Sequence, residues 1–405
     1  MKKLLKSMRC VFFAGAILCA VSAHAHDEDF KKWQEEFKIR ALKEGILQKT
    51  LDFYMPKMVL QERVIATDVK KPEYIRNFWD YIATRLTQEK VKNAQKMKNT
   101  YTTWLNRVSK NYHVPKEYLL ALWSMETNFG SFMGKTPLLD SLGTLAYHPR
   151  RREFFTKELL AYFRILESEP YPPILGAWDG GIGNFQFMPT TFMAYAVDAD
   201  SNGTKSLTGS IPDSLASAAN YLHQMGWQES EPWGREVVLP VNFDYSLIGE
   251  SKYVNEWQKM GVKIIGNKKF SDSESVILAK LRAPLGADGP FFLTYPNFKL
   301  LNRWNKLELY ALTTGILADM IAGRRTAPPV RPENFEPLKT EEFQKLQQIL
   351  LDKGYYADAV DGLLGTNMRK AIRMFQRDNN MMVDGYPNSQ VLTKLNIHNK
   401  EEKYE

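Results

Sequence analysis

Residues 115–130 read PKEYLLALWSMETNFG, from Pro115 to Gly130. The stretch predicts one helix. Pro115 suits a first turn, where its missing N–H costs nothing, and Gly130 suits the C-terminal stop. Leu119, Leu122, Trp123 and Glu126 follow one another at spacings of three and four, so they share a face. That face is apolar apart from Glu126. A carboxyl group there either finds a partner within the fold or sits in a low-dielectric cleft with its pKa pushed up. The helix pattern leaves both readings open, and the rest of the chain has to decide between them.

With 405 residues there is room for two or three domains, and 44% hydrophobic against 25% charged residues is an ordinary globular balance. The chain holds 9 Trp, 19 Tyr and 22 Phe. Aromatic faces pack cores but also stack on sugar rings, so the composition leans toward a carbohydrate ligand. Residues 1–25 have the pattern of a secretory signal. Lys2, Lys3, Lys6 and Arg9 open it, Val11 to Val21 is its apolar run, and small residues at Ala23 and Ala25 mark a cleavage site. The run is too short to span a bilayer as a mature helix. Leu18 stands before Cys19, where lipid attachment needs a small residue, so plain cleavage is expected. Both cysteines, Cys10 and Cys19, lie in this leader. A mature chain without them excludes disulfides, Cys₄ zinc and thiol catalysis. The formal net charge is +8, and loss of the four leader cations leaves +4. That suits an anionic polymer but makes no nucleic-acid stripe. No later stretch has the length and apolarity of a transmembrane helix.

Residues 26–110 read as scaffold helices, with Phe30, Trp33, Phe37 and Ala41 on one face and Phe78, Trp79, Tyr81 and Ile82 on another. Arg150, Arg151 and Arg152 form either a solvated face or, near a cleft, a site for carboxylates. Glu153 to Glu167 is an amphipathic helix. The Gly-rich loop GAWDGGIGNFQFMP, Gly176 to Pro189, lets backbone approach a ligand closely. It lacks the Lys-Ser/Thr ending of a phosphate loop, so a nucleotide is not expected. Asp198, Asp200, Asn202 and Gly203 resemble the start of a calcium loop, but its twelfth position is Gly209 rather than Glu. A tight Asx-rich turn is expected there, with metal binding at Asp198, Asp200 and Asn202 as the lesser reading. No cofactor is expected. From Glu236 the segments EVVLPV, SVILAKL and PFFLTY read as short strands of a small β lobe. Asn302 to Gly323 reads as one helix. Residues 324–337 are Pro- and charge-rich and read as a linker. Leu338 to Asn396 is a small third unit, with helices near 341–353, 366–378 and 389–395 and Asp-Gly turns at Asp361 and Asp384. No period-length repeat is evident.

At METNFG, at GGIGNFQFMPTTFMAYAVDADSNG, at SLASAANYLHQMGW with EPWGREV, and at LTYPNFKLLNRWN with LELYAL, the chain resembles the membrane-bound lytic murein transglycosylase B family. Its tail, LQQILLDKGYYADAVDGLLGTNMRKAIRMFQRDNNMMVDG, resembles the small three-helix peptidoglycan-binding domain. The resemblance implies a mainly α (α+β) protein: a lysozyme-like helical catalytic domain with a small β-containing lobe, then a small wall-binding domain. It divides the chain into signal peptide 1–25, catalytic domain 26–323, linker 324–337 and peptidoglycan-binding domain 338–398. It implies cleavage of glycan strands between N-acetylmuramic acid and N-acetylglucosamine, leaving 1,6-anhydromuramoyl ends. The family's single catalytic acid matches Glu126. Its substrate-binding positions match Gln186, Asn305 and Tyr310, with the paired Arg at Arg150 and Arg151, and Trp304 is a candidate for sugar stacking.

An ordinary glycosidase needs two carboxyl groups. The second is not obvious here, since Asp179, flanked by Gly, has the setting of a turn residue. Transglycosylase chemistry removes the need, because the substrate supplies its own attacking oxygen. Two other readings stand beside it: a muramidase hydrolysing the same bond, and a non-catalytic wall-binding scaffold. The expected partner is peptidoglycan, with other wall enzymes as further candidates and no nucleic acid. The signal and the substrate together imply export to the periplasm.

Overall fold

The computed structural model describes residues 28–70, 77–333 and 335–397, and the expected leader lies outside them. The first helix, α1 (28–43), turns Phe30, Trp33, Phe37 and Ala41 inward, as their spacing requires. The rings stack in succession, with centroids 5.4 Å apart for Phe30–Trp33 and 5.5 Å for Trp33–Phe37. Helices α2 (Gln48–Tyr54), α3 (Glu62–Lys70), α4 (Phe78–Ala83), α5 (Gln88–Thr100), α6 (Thr102–Tyr112) and α7 (Lys116–Thr127) follow. Asn77 and Thr87 cap α4 and α5, each side chain accepting an N–H of the first turn. Next come α8 (Leu138–Tyr147), α9 (Arg152–Ser168), α10 (Pro189–Tyr195) and α11 (Ile211–Gln224). Two short strands, β1 (Thr136–Pro137) and β2 (Leu175–Gly176), pair antiparallel around α8 and α9.

The β lobe holds β3 (Gly234–Val238), β4 (Ser251–Tyr253), α12 (Val254–Lys259), β5 (Lys263–Ile264), α13 (Asp272–Ser275), β6 (Leu278–Arg282) and β7 (Phe291–Thr294). Its sheet runs β4-β6-β7-β3-β5, antiparallel throughout, with Arg235 opposite Leu293 and Leu281 opposite Leu293 on the other side. Val237, Trp257, Ala279, Leu281, Leu293 and Tyr295 fill its core. The three strands expected from the sequence are present as β3, β6 and β7.

Asn302 to Gly323 is not one helix. Lys306 adopts a left-handed φ of 63° and divides it into α14 (Pro296–Asn305) and α15 (Glu308–Ile321). The tail forms α16 (Thr340–Asp352), α17 (Thr366–Asp378) and α18 (Ser389–Lys394) around Leu346, Leu350, Met368, Ile372, Phe375 and Val391.

The described chain divides into two units. The first takes residues up to Lys70 and Glu126–Asn220, centred on α8, whose residues Leu138 to Ala146 are all buried. The second takes residues up to Met125 that follow the first stretch, and everything from Tyr221. Within the second, the Pro-rich segment 324–337 is tied down rather than loose. Arg324 pairs with Asp319 and Glu117 at 2.8 and 2.7 Å, and Arg325 pairs with Glu236. Phe335 meets Trp79 edge-on at 6.3 Å, and Gln88 donates to Thr326 O at 3.1 Å.

Candidate active site

Helix α7 buries Leu119, Leu122 and Trp123 almost completely. Trp123 packs on Tyr101 with centroids 5.8 Å apart. The half-buried Lys90 amine, pushed down by desolvation with Arg85 adding to it, donates to Ser124 O at 3.3 Å. It thus satisfies one of the carbonyls left over at the C-terminal end of the helix. Glu126 is the last residue but one of α7 and is half-buried.

The helix stops three residues before the expected Gly130, at Thr127. Asn128, Phe129 and Gly130 have φ of 48°, 59° and 81°. Three left-handed residues in a row, two of them with side chains, turn the chain sharply and need support from outside. Thr127 provides it. Buried to 1% exposure, its hydroxyl donates to Asn184 O at 2.8 Å and accepts Gly130 N–H at 3.0 Å. At Gly130 a Cβ would stand 2.8 Å from Asn184 Oδ1, so only Gly lets the two loops approach this closely.

The Gly-rich loop is held from within. Ile182 and Phe187 exchange both backbone hydrogen bonds, at 2.8 and 3.0 Å. Between them Gln186 sits at a left-handed φ of 52° and donates to Gly183 O at 2.7 Å and Met133 O at 3.3 Å. Asn184, buried to 1%, donates to Leu207 O and Ser214 Oγ at 3.0 and 3.2 Å. The turn carrying Glu126 and the loop carrying Gln186 are therefore joined through Thr127 and Asn184. Thr127 lies inside the helix expected from the sequence and was not singled out there; its position directly after the acid was the available signal.

Asp179 accepts Gly181 N–H at 3.3 Å, as a turn residue does, and burial pushes its carboxyl up. Arg150 and Arg151 turn toward Asp68 of α3, whose side chain is 2% exposed. Arg150 donates Nε to Asp68 Oδ2 at 2.7 Å and a terminal N–H to Asp68 O at 2.8 Å, while Arg151 pairs with Oδ1. Arg151 also lies over Phe155, 4.6 Å from the ring centre. Desolvation opposes the charge on Asp68, but the two Arg hydrogen bonds outweigh it and hold the carboxyl below its usual range.

Trp304, Asn305 and Tyr310 belong to the second unit. Trp304 meets Tyr221 edge-on at 5.1 Å, Asn305 is the half-buried last residue of α14, and Tyr310 is 4% exposed in α15.

In the loop of Asp198, Asp200 and Asn202, the chain's own donors take the side-chain oxygens. Asp198 accepts Asn202 and Gly203 N–H at 3.1 and 2.8 Å, and Asp200 accepts the Ser210 hydroxyl at 2.8 Å. Asn202 Oδ1 accepts Thr204 N–H at 2.9 Å. Carboxylate oxygens of Asp198, Asp200 and Asp213 come within 4.8 Å of one another. Asp213, from α11, itself accepts Ala199 and Ser206 N–H at 2.8 and 2.9 Å. The result is the expected Asx-rich turn, closed by hydrogen bonds.

An acid ending an apolar helix, braced by a Gly-rich loop in a helical fold with a small sheet, is the arrangement of a lysozyme-like enzyme. The family model described as "Transglycosylase SLT domain" matches residues 29–319, and "Putative peptidoglycan binding domain" matches residues 339–395. The chain belongs to the transglycosylase SLT domain family. It is a peptidoglycan lytic transglycosylase with a C-terminal peptidoglycan-binding domain. Among curated proteins it is 29% identical over 273 residues to membrane-bound lytic murein transglycosylase B of Escherichia coli (strain K12), covering 65% of this chain and 73% of that one. Among solved structures, SltB3 from Pseudomonas aeruginosa in complex with NAG-anhNAM-pentapeptide is 38% identical with a TM-score of 0.84, over 91% of this chain and 99% of that one. Soluble lytic transglycosylase SltB1 from Pseudomonas aeruginosa shares the fold, with a TM-score of 0.64 at 24% identity, over 73% of this chain and 100% of that one.

Proposed function

We propose that the enzyme cleaves the β-1,4 bond between N-acetylmuramic acid and N-acetylglucosamine without water, with Glu126 as both acid and base. Protonated Glu126 gives its proton to the glycosidic oxygen, and the bond from muramoyl C1 to that oxygen breaks. The substrate's acetamido oxygen stabilises the positive charge at C1. The C6 hydroxyl oxygen then bonds to C1 while ionised Glu126 takes the hydroxyl proton, which restores the acid and closes the 1,6-anhydro ring. General acid–base catalysis of this kind contributes roughly 10²–10⁴-fold.

The observation that carries the reading is the placing of Glu126: half-buried at the end of an apolar helix, with the next residue bonded to the loop of Gln186. The relative SltB3, in complex with NAG-anhNAM-pentapeptide, supports an anhydro end as product. In this reading Gln186 and Asn305 bond N-acetyl or hydroxyl groups, and Trp304 and Tyr310 border the sugars. Arg150 and Arg151, beyond their bonds to Asp68, meet a lactyl or peptide carboxylate. Residues 1–25 export the chain to the periplasm, residues 26–323 cut, residues 324–337 connect, and residues 338–398 hold the wall. No helix of the described residues is long and apolar enough to cross a membrane.

The test is product analysis. Mass spectrometry of muropeptides released from purified sacculi is expected to show muramoyl ends one water lighter than reducing ends. Reducing ends carrying solvent oxygen at C1 would overturn the reading and establish hydrolysis. Glu126→Gln is expected to bind sacculi and melt like the wild type while turnover falls by about 10²–10⁴-fold. Full lytic activity in a folded Gln variant would remove Glu126 from the mechanism.

A further inference from the structure

Two chain segments beside Glu126 carry apolar side chains that the fold does not bury. The first is Phe132 to Gly134, just after the left-handed turn. Phe132 N–H donates to Thr127 O at 3.0 Å, and Met133 O accepts Gln186 Nε2 at 3.3 Å. The segment is thus fastened at one end to the residue next to the acid and at the other to the Gly-rich loop. Its backbone is held, yet the Phe132 side chain is 74% exposed.

The second segment is Tyr171 to Ala177. Leu138 N–H donates to Ile174 O at 3.0 Å, and β1 pairs with β2 through Thr136–Gly176 and Pro137–Leu175. Gly134 brings the two segments together. At its φ of +92° a Cβ would stand 2.0 Å from Gly176 O, so backbone lies directly on backbone. Tyr171, Ile174 and Leu175 are exposed, as Phe132 is.

A lone exposed apolar residue is ordinary on a protein surface. Here four occur on two segments in contact, and one segment is bonded to the turn of Glu126. Apolar surface gathered at such a place marks a ligand groove. The sequence also says which ligand suits it. Neither 127–134 nor 170–178 contains a charged residue, so nothing on these segments matches the carboxylates or amines of a stem peptide. A β-1,4-linked N-acetylglucosamine ring is neutral, and its substituents lie equatorial, which leaves two flat faces of C–H groups. A planar aromatic ring presented to solvent fits such a face.

We propose that Phe132 is a specificity-determining residue, the platform on which one N-acetylglucosamine ring of the glycan strand stacks, with Ile174 and Leu175 bordering it. The proposal rests on the proposed function in one respect: that function places the strand across Glu126.

The test uses the full chain and the β-1,4-linked tetramer of N-acetylglucosamine, titrated by calorimetry. Phe132→Ala is expected to bind it about ten-fold more weakly than the wild type. Phe132→Leu, which keeps apolar bulk without a flat face, is expected to stay with Ala, and Phe132→Trp to stay with the wild type. All three are expected to melt with the wild type, because the side chain lies in water. Unchanged affinity in the Ala form, full affinity in the Leu form, or lost affinity in the Trp form would overturn the proposal. So would no binding by the wild type, or a loss in the Ala form matched by a lower melting temperature. The masses of the muropeptides released by the wild type decide the proposed function separately. Reducing ends, with the Phe132 pattern intact, overturn that function alone; anhydro ends, with Phe132→Ala binding normally, overturn this site alone.

Discussion

Thr127 carries two hydrogen bonds at the point where α7 stops, one to a residue 57 positions along the chain. Thr127→Val keeps its shape and removes both the bond to Asn184 O and the one from Gly130 N–H. We expect a loss of about 1–3 kcal/mol in urea unfolding and slower sacculus digestion, with Thr127→Ser recovering most of each. Equal stability of the Val and Thr forms would show that the bracing is idle. Glu126 itself was legible in the sequence, because a charge on an otherwise apolar helical stripe stands out against its neighbours. Thr127 was not, since Thr is ordinary at a helix end and its partner is distant. Gln186 was legible as a position in a Gly-rich loop and through the family resemblance; its left-handed backbone, set by the Ile182–Phe187 pairing, leaves no mark in local sequence.

Among elements, the clasp between α3 and the 149–151 turn shows how far a motif can be read. The Arg run suggested either a solvated face or a site for ligand carboxylates, and two of its members also bond the chain's own Asp68, some 80 positions away, which local sequence could not show. Removing it strands two guanidinium groups. Each is about a third exposed, so Asp68→Asn is expected to cost about 2–3 kcal/mol, below the usual range for a fully buried pair. The sign of the pH dependence follows from the lowered carboxyl. Its stabilisation is fully present above the ordinary value of 3.8 and is lost as pH falls through the lower folded value. Urea midpoints measured from pH 6 down to pH 2 are expected to drop more steeply for the wild type than for Asp68→Asn. A second element-scale result is the break at Lys306. With no Gly or Pro to mark it, Asn302 to Gly323 looked continuous. Lys306→Gly relieves a left-handed side chain and is expected to raise stability by up to about 1 kcal/mol, read as a higher melting temperature. A lower one would mean that the Lys side chain holds the corner in some other way.

For the molecule as a whole, composition and order of motifs were enough to read helices, a small sheet and a three-helix tail. The strands missed, β1, β2, β4 and β5, are two or three residues long, too short for an alternating pattern to register. The segment 324–337 was read from its prolines as a connector, and composition could not show that Asp319, Glu117, Glu236 and Trp79 tie it down. Phe335→Ala combined with Arg331→Ala, which removes the contacts to Trp79 and Asp80, is expected to speed protease cutting within this segment several-fold. Unchanged cutting would assign the restraint to the Arg324 and Arg325 pairs alone. In the tail, Gln347 of α16 accepts Gly362 N–H at 2.7 Å and Gln376 of α17 accepts Gly385 N–H at 2.9 Å, so the turns at Asp361 and Asp384 are fastened separately. Each is latched by its own glutamine on its own helix, so substitutions around Asp361 leave the latch that fastens the tail to the β lobe untouched. A change at the Asp361 turn therefore leaves the bond from Ala287 N–H to Asp384 in place.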